Sequence, residues 1–129
     1  MSIWKAEEFM MLGMVLAVGF DPSLMTPRII VLQSAGYVVI KAWSIEEAID
    51  HFQSGDFDLV LMCHSVPTAD REHLARLIRA SGSSIPIVSI AGSPGECDAL
   101  ANATLEDGPN KFVAGIKDAL VKAMGIPAA

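Results

Sequence analysis

Cys63 and His64 stand side by side at the end of an apolar run, Asp58-Leu59-Val60-Leu61-Met62-Cys63-His64-Ser65-Val66-Pro67. A thiolate beside a base is a nucleophile, and a strand end near helix amino termini lowers a thiol pKa below its free value of about 8.5. The thiol by itself offers a redox or persulfide switch, and the pair invites a Cys–His catalytic reading. Two features oppose these readings. Successive strand residues point to opposite faces, so His64 is badly placed as a base for Cys63 while the strand lasts. No basic side chain is identifiable beside the thiol, and a small buried apolar residue is a common role for cysteine. His64 itself reads as a solvent-exposed loop residue, and His51 and His73 as single polar residues on helices. A zinc site built from Cys63, Cys97 and the histidines has no ligand spacing behind it. Ala91-Gly92-Ser93-Pro94-Gly95 is glycine-rich enough for an anion nest, but it lacks a lysine or a repeated glycine pattern and reads as a plain turn.

The elements that position these residues follow from periodicity. Short apolar runs predict strands at 14–18, 37–42, 58–63 and 85–91, with Pro86 tolerable only near the start of the last. A weak fifth strand falls at 103–105. Helical patterns lie between them. Asp21-Pro22 is a helix start, and Thr26-Pro27 is a second such signal, so the first helix either begins at Thr26 or bends there; it ends at Gly36. Ser44 and Glu47 form a capping box for a helix that buries Ile45, Ala48, Ile49 and Phe52 and closes at Gly55. Asp70 is expected to cap a third helix with Leu74, Leu77 and Ile78 inward. A short helix is expected over 94–101. Pro109 opens the last helix, with Phe112, Val113, Ile116 and Leu120 inward and Gly125 as its stop. Strands alternating with helices predict a doubly wound parallel sheet.

Composition agrees. Apolar residues make up 52% of the 129-residue chain, more than a half-polar antiparallel sheet needs, and strands covered on both faces account for them. The net charge of -6, with no Lys/Arg run, argues against nucleic acid. Two cysteines make no disulfide framework and point to reduced thiols in a cytosol. The apolar stretch from Phe9 to Phe20 is shorter than the roughly 20 residues of a membrane span, and reads as a buried first strand with an apolar lead-in.

The chain resembles the response-regulator receiver domain of two-component signalling over about residues 14–124. The resemblance rests on Asp21-Pro22, Ala35-Gly36-Tyr37, Ser44 with Glu46-Glu47-Ala48, Gly55-Asp56-Phe57-Asp58-Leu59-Val60-Leu61-Met62, Pro67, and Ile85-Pro86-Ile87-Val88. It implies a flavodoxin-like (βα)5 sheet with strand order 2-1-3-4-5 in three α/β/α layers, and a site at the carboxyl ends of the first and third strands. It also implies that the site is degenerate. The family's acidic pair falls on Gly19 and Phe20, its phosphoacceptor aspartate on Cys63, and its hydroxyl residue on Ala91. The lysine falls on Asp107, the proline after it on Gly108, and the aromatic switch residue on Thr104. Phosphoryl transfer depends on positioning and charge neutralisation, and magnesium needs hard oxygen ligands that Gly19, Phe20 and a thiol do not supply. The Phe20 ring is expected to take up part of that space.

The expectation is therefore a single domain over 1–129 without an output domain: a cytoplasmic pseudo-receiver that works by protein–protein contact. It is expected to be no enzyme, to hold no cofactor or metal, and to bind no nucleic acid or membrane. Its partner would be a histidine kinase, another regulator or a second copy. The alternative on the same fold is a thiol sensor using Cys63. A metabolic enzyme finds no nucleophile–base pair, cofactor loop or acid cluster to support it.

Overall fold

The first strand, β1, spans Gly13–Val18, and four of its six residues are buried. In the computed structural model, which describes residues 13–90, 101, 103–105 and 109–123, it sits inside a five-stranded parallel sheet. The remaining strands are β2 (Tyr37–Ala42), β3 (Leu59–Met62), β4 (Ile87–Ile90) and β5 (Ala103–Leu105). Their order is β2-β1-β3-β4-β5, as the sequence resemblance implied. The described helices are α1 (Pro22–Ser34), α2 (Ile45–Ser54), α3 (Thr68–Ala80) and α4 (Pro109–Ala123).

Each central strand is apolar on both faces, because helices cover both. Val15, Ala17, Leu59, Leu61, Val88 and Ile90 face one layer with Met25, Ile29 and Leu32 of α1 and Phe112, Ile116 and Leu120 of α4. Leu16, Val18, Val60, Met62 and Ile87 face the other, with Ala48 of α2 and Leu74, Ala75 and Ile78 of α3. The period-2 alternation of strand side chains thus divides one continuous hydrophobic run between two cores.

The first helix resolves the choice between Asp21 and Thr26. Asp21 is the N-cap and α1 runs on through Pro27 to Ser34. An interior proline costs roughly 3 kcal/mol. Burying Met25, Ile29 and Leu32, at about 2 kcal/mol each, outweighs that. The helix closes at Ala35, and Gly36 takes a positive φ of 104 that an L side chain would adopt only with strain.

Three local expectations need correction. The capping box is half shifted: the Glu47 amide donates to Ser44 Oγ at 3.1 Å, but Glu47 Oε1 accepts from the Trp43 amide at 2.9 Å and not from Ser44. Extended backbone at Ser44 (φ -145, ψ 164) carries the preceding amide over the first turn. Asp70 does not cap α3. The helix begins at Thr68, because the carbonyl of Pro67 already accepts the Arg71 amide at 3.0 Å; Asp70 lies in the first turn, where a carboxylate complements the helix dipole. The buried stripe of α3 is Leu74, Ala75 and Ile78, with Leu77 only half-buried. The expected helix over 94–101 lies outside the described residues except for Ala101, which sits in a bend. Val113 is half-buried beside the inward Phe112, Ile116 and Leu120, and Gly125 also lies outside the described residues.

Tyr37 opens β2 with its ring buried, and this desolvation raises its phenol pKa above the usual 10.0. The fold thus retains a proton that the unfolded chain gives up, so this contribution to stability holds below pH 10 and is lost as pH rises through the folded pKa. Tyr37 is the chain's single tyrosine. Its ultraviolet titration should lie above that of free tyrosine and fall back to it in denaturant. A midpoint at the free value in the folded protein would contradict this burial.

Candidate functional site

The strand register brings three strand ends level. Val18 pairs with Ala42 on one side and with Met62 on the other. Gly19 and Cys63 therefore emerge next to one another at the carboxyl end of the sheet, at the switch point where ligands bind in such folds. Backbone hydrogen bonds extend the ladder by one step past the strands. The Gly19 amide donates to the Ala42 carbonyl at 3.1 Å, and the Cys63 amide to the Val18 carbonyl at 2.9 Å.

Cys63 is a free thiol with no exposed surface, in the same core as Val15, Ala17, Leu61 and Ile90. It follows the last strand residue and begins a turn closed by the Val66 amide on its carbonyl at 3.0 Å. His64 is in that turn and is half-buried, not fully exposed as the sequence implied. The turn folds it toward the start of α1.

Asp21 starts α1. Its Oδ1 accepts from the Ser23 hydroxyl at 2.7 Å and the Ser23 amide at 3.0 Å. These bonds hold the Asp21 carboxyl below the usual carboxylate range, the Ser23 hydroxyl contributing most and nearby His64 least. The carboxylate expected to be engaged as a cap is so engaged.

Phe20 does not fill the space beside Cys63. Its amide donates to Ser65 Oγ at 3.0 Å, and its half-buried ring packs against the α2/α3 core, across the sheet from the core holding Cys63. The side chain that does fill that space is Met25. A Cβ placed on Gly19 would lie 2.1 Å from Met25 Cγ, 3.0 Å from Met25 Sδ and 3.3 Å from Cys63 Cβ. Met25 and Ser65 were not foreseen as site residues. Met25 carried a signal, since it starts the inward Met25, Ile29, Leu32 stripe one turn after the Asp21 cap. Ser65 carried none.

Thr104 takes the middle position of β5, paired with Ser89 of β4. Ala91, Cys97, Asp107, Gly108 and the 93–95 turn lie outside the described residues. Among the described residues, no three His, Cys, Asp or Glu side chains gather as a metal-binding set. Two surface depressions of about 500 and 510 Å³ lie along α3, one lined by Phe52, Phe57 and Leu77 among others, the second by Glu72, His73 and Arg76; neither is lined by Gly19, Phe20 or Cys63. Among the described residues, no helix is long and apolar enough to cross a membrane.

Solved structures share this arrangement. A putative response regulator from Chloroflexus aurantiacus superposes with a TM-score of 0.74 at 25% identity, covering 84% of this chain and 98% of that one. The chemotaxis response regulator CheY4 of Vibrio cholerae gives 0.72 at 23%, covering 84% and 99%. The response regulator TrrA of Thermotoga maritima, solved in complex with Mg2+–BeF, gives 0.72 at 23%, again covering 84% and 99%. The chain has the CheY-like receiver fold. Among curated proteins, the receiver-like chain is 35% identical over 81 residues to the CAI-1 autoinducer sensor kinase/phosphatase CqsS of Vibrio cholerae. That match covers 60% of this chain and 12% of the kinase, so the chain spans only a small part of that relative. No family model matches the chain.

Proposed function

We propose that this receiver domain serves two-component signalling as a protein–protein interaction module that does not depend on phosphoryl transfer. One observation carries the reading: the carboxyl ends of β1 and β3 meet over Gly19, Met25 and Cys63, which pack apolar groups where a receiver needs carboxylates. Phosphoryl chemistry there requires a metal held by oxygens and charge neutralisation around the transferred group. Asp21 stands nearby, but its Oδ1 is committed to Ser23. Full burial of Cys63 favours this reading over a thiol sensor, whose cysteine must be reached by its oxidant. The partner is a histidine kinase, another regulator or a second copy of the chain, in the cytoplasm where two-component receivers meet their kinases. Similarity to part of a sensor kinase/phosphatase supports that setting.

The test is ligand-linked stability. A ligand that binds only the folded state raises its stability by mass action. Millimolar magnesium with beryllofluoride should leave the melting temperature of the wild-type domain unchanged. A saturable rise would overturn the reading.

A further inference from the structure

We propose that Met25 is the residue that decides what the site can hold. Its side chain occupies the volume that any side chain at position 19 would need and covers the Cys63 thiol, so the missing acids are a consequence of packing as well as of residue type. The inference deepens the interaction reading and rests on it.

Gly19 is not required by its backbone. Among the described residues only Gly36 and Gly82 have a positive φ, so Gly19 sits in a conformation open to L residues. What excludes a side chain is space. A Cβ at 2.1 Å from Met25 Cγ is far inside van der Waals contact, and 3.3 Å from Cys63 Cβ is tight on the opposite side. The backbones that carry these side chains are held in place. Gly19 is tied to Ala42 of β2, Cys63 to Val18 of β1, and the Met25 amide to the Asp21 carbonyl at 3.2 Å. The cap at Asp21 sets the register of α1, and that register aims Met25 at Gly19. Met25 and Cys63 are both fully buried, so the thioether and the thiol share one closed apolar compartment. Methionine suits this place because an unbranched, flexible side chain fills an irregular gap. A carboxylate at 19 is thus excluded twice, by shape and by the cost of burying it unpaired.

The experiment is a double-mutant cycle on the full chain with Cys97→Ser as background, so that Cys63 is the single thiol. Gly19→Ala, Met25→Ala and the pair are compared by thermal unfolding, all at a sucrose concentration at which the weakest variant still folds. Gly19→Ala should lower the melting temperature by about 10 °C in the presence of Met25, as overpacking does, and by less than about 2 °C in the Met25→Ala background. Additive losses would overturn the proposal. The second readout is the rate at which a thiol reagent labels Cys63 under native conditions. Met25→Ala should raise it at least about tenfold over Leu32→Ala, a cavity on the same face of α1 two turns further on that controls for general loosening. Equal rates in the two variants would show that Met25 does not cover the thiol. These results are independent of the magnesium–beryllofluoride test on the wild type. A cycle that fails removes Met25 as the determinant, whereas a ligand-induced rise in the wild type removes the interaction reading.

Discussion

Gly19→Asp, which restores one acid at the position expected of the family's acidic pair, should strip the domain of a large share of its stability. The aspartate needs a Cβ where Met25 Cγ lies 2.1 Å away, and both backbone walls are hydrogen-bonded in place. Overpacking a filled core costs typically 1–3 kcal/mol. Burying a carboxylate without partners adds roughly as much again or more. Together they come to about 4 kcal/mol or more, a large share of the roughly 5–15 kcal/mol that holds a small domain together. Urea unfolding followed by circular dichroism would measure it. A variant within about 1 kcal/mol of wild type would mean that the compartment is roomy and that Met25 moves aside easily.

The fold was legible because each element carried its own signal. Tyr37–Ala42 matches the expected second strand to the residue, and β1 and β3 differ from expectation by one residue at their ends. Their β-rich composition and the glycine or capping residues beside them work over a few residues, which is the range that sequence pattern reports. The errors occur where a hydrogen bond between particular groups outranks residue preference. Asp70 is a better cap by type than Pro67, yet the Pro67 carbonyl starts the helix. Glu47 reaches Trp43 and not Ser44 for a similar reason.

The site was legible only in part. Gly19, Phe20 and Cys63 were located by their neighbours in the chain, and the register of β1 with β3 brings Gly19 and Cys63 together. The content of the space between them was not legible. Met25 is six residues from Gly19 and 38 from Cys63, and whether its side chain fills the volume that a side chain at 19 would need depends on how the first helix packs on the sheet, which sequence pattern does not report. Phe20 was the natural candidate because its ring is large. Its amide is instead drawn to Ser65 Oγ, and the ring lies across the sheet. The same holds for Asp58, an exposed residue whose carboxylate accepts the Met14 amide at 2.8 Å and whose amide returns a bond to the Met14 carbonyl at 2.8 Å. It pins the starts of β1 and β3 to each other, a role that its place at the head of the expected third strand did not reveal.

Cys63→Asp should lose stability without gaining chemistry. The thiol lies fully buried among Val15, Ala17, Leu61, Met25 and Ile90, and its own amide and carbonyl are already bonded to Val18 and Val66. A carboxyl in that compartment has its pKa raised by desolvation, so it resists ionisation. The folded state then keeps a proton that the unfolded state releases above about pH 4. The variant should therefore approach wild-type stability most closely in acid and fall behind as pH rises toward neutral, by roughly 3 kcal/mol or more at pH 7. A protonated acid is also a poor nucleophile, and no metal-holding oxygen stands beside it at Gly19. Members of a catalytic unit act together, so one recovered member returns little rate. Incubation with acetyl phosphate and magnesium, followed by intact mass, should show the unmodified chain. Stoichiometric addition of one phosphoryl group would mean that the compartment opens to solvent and metal far more readily than the packing of Met25 against Gly19 allows, and the interaction reading would fall with it.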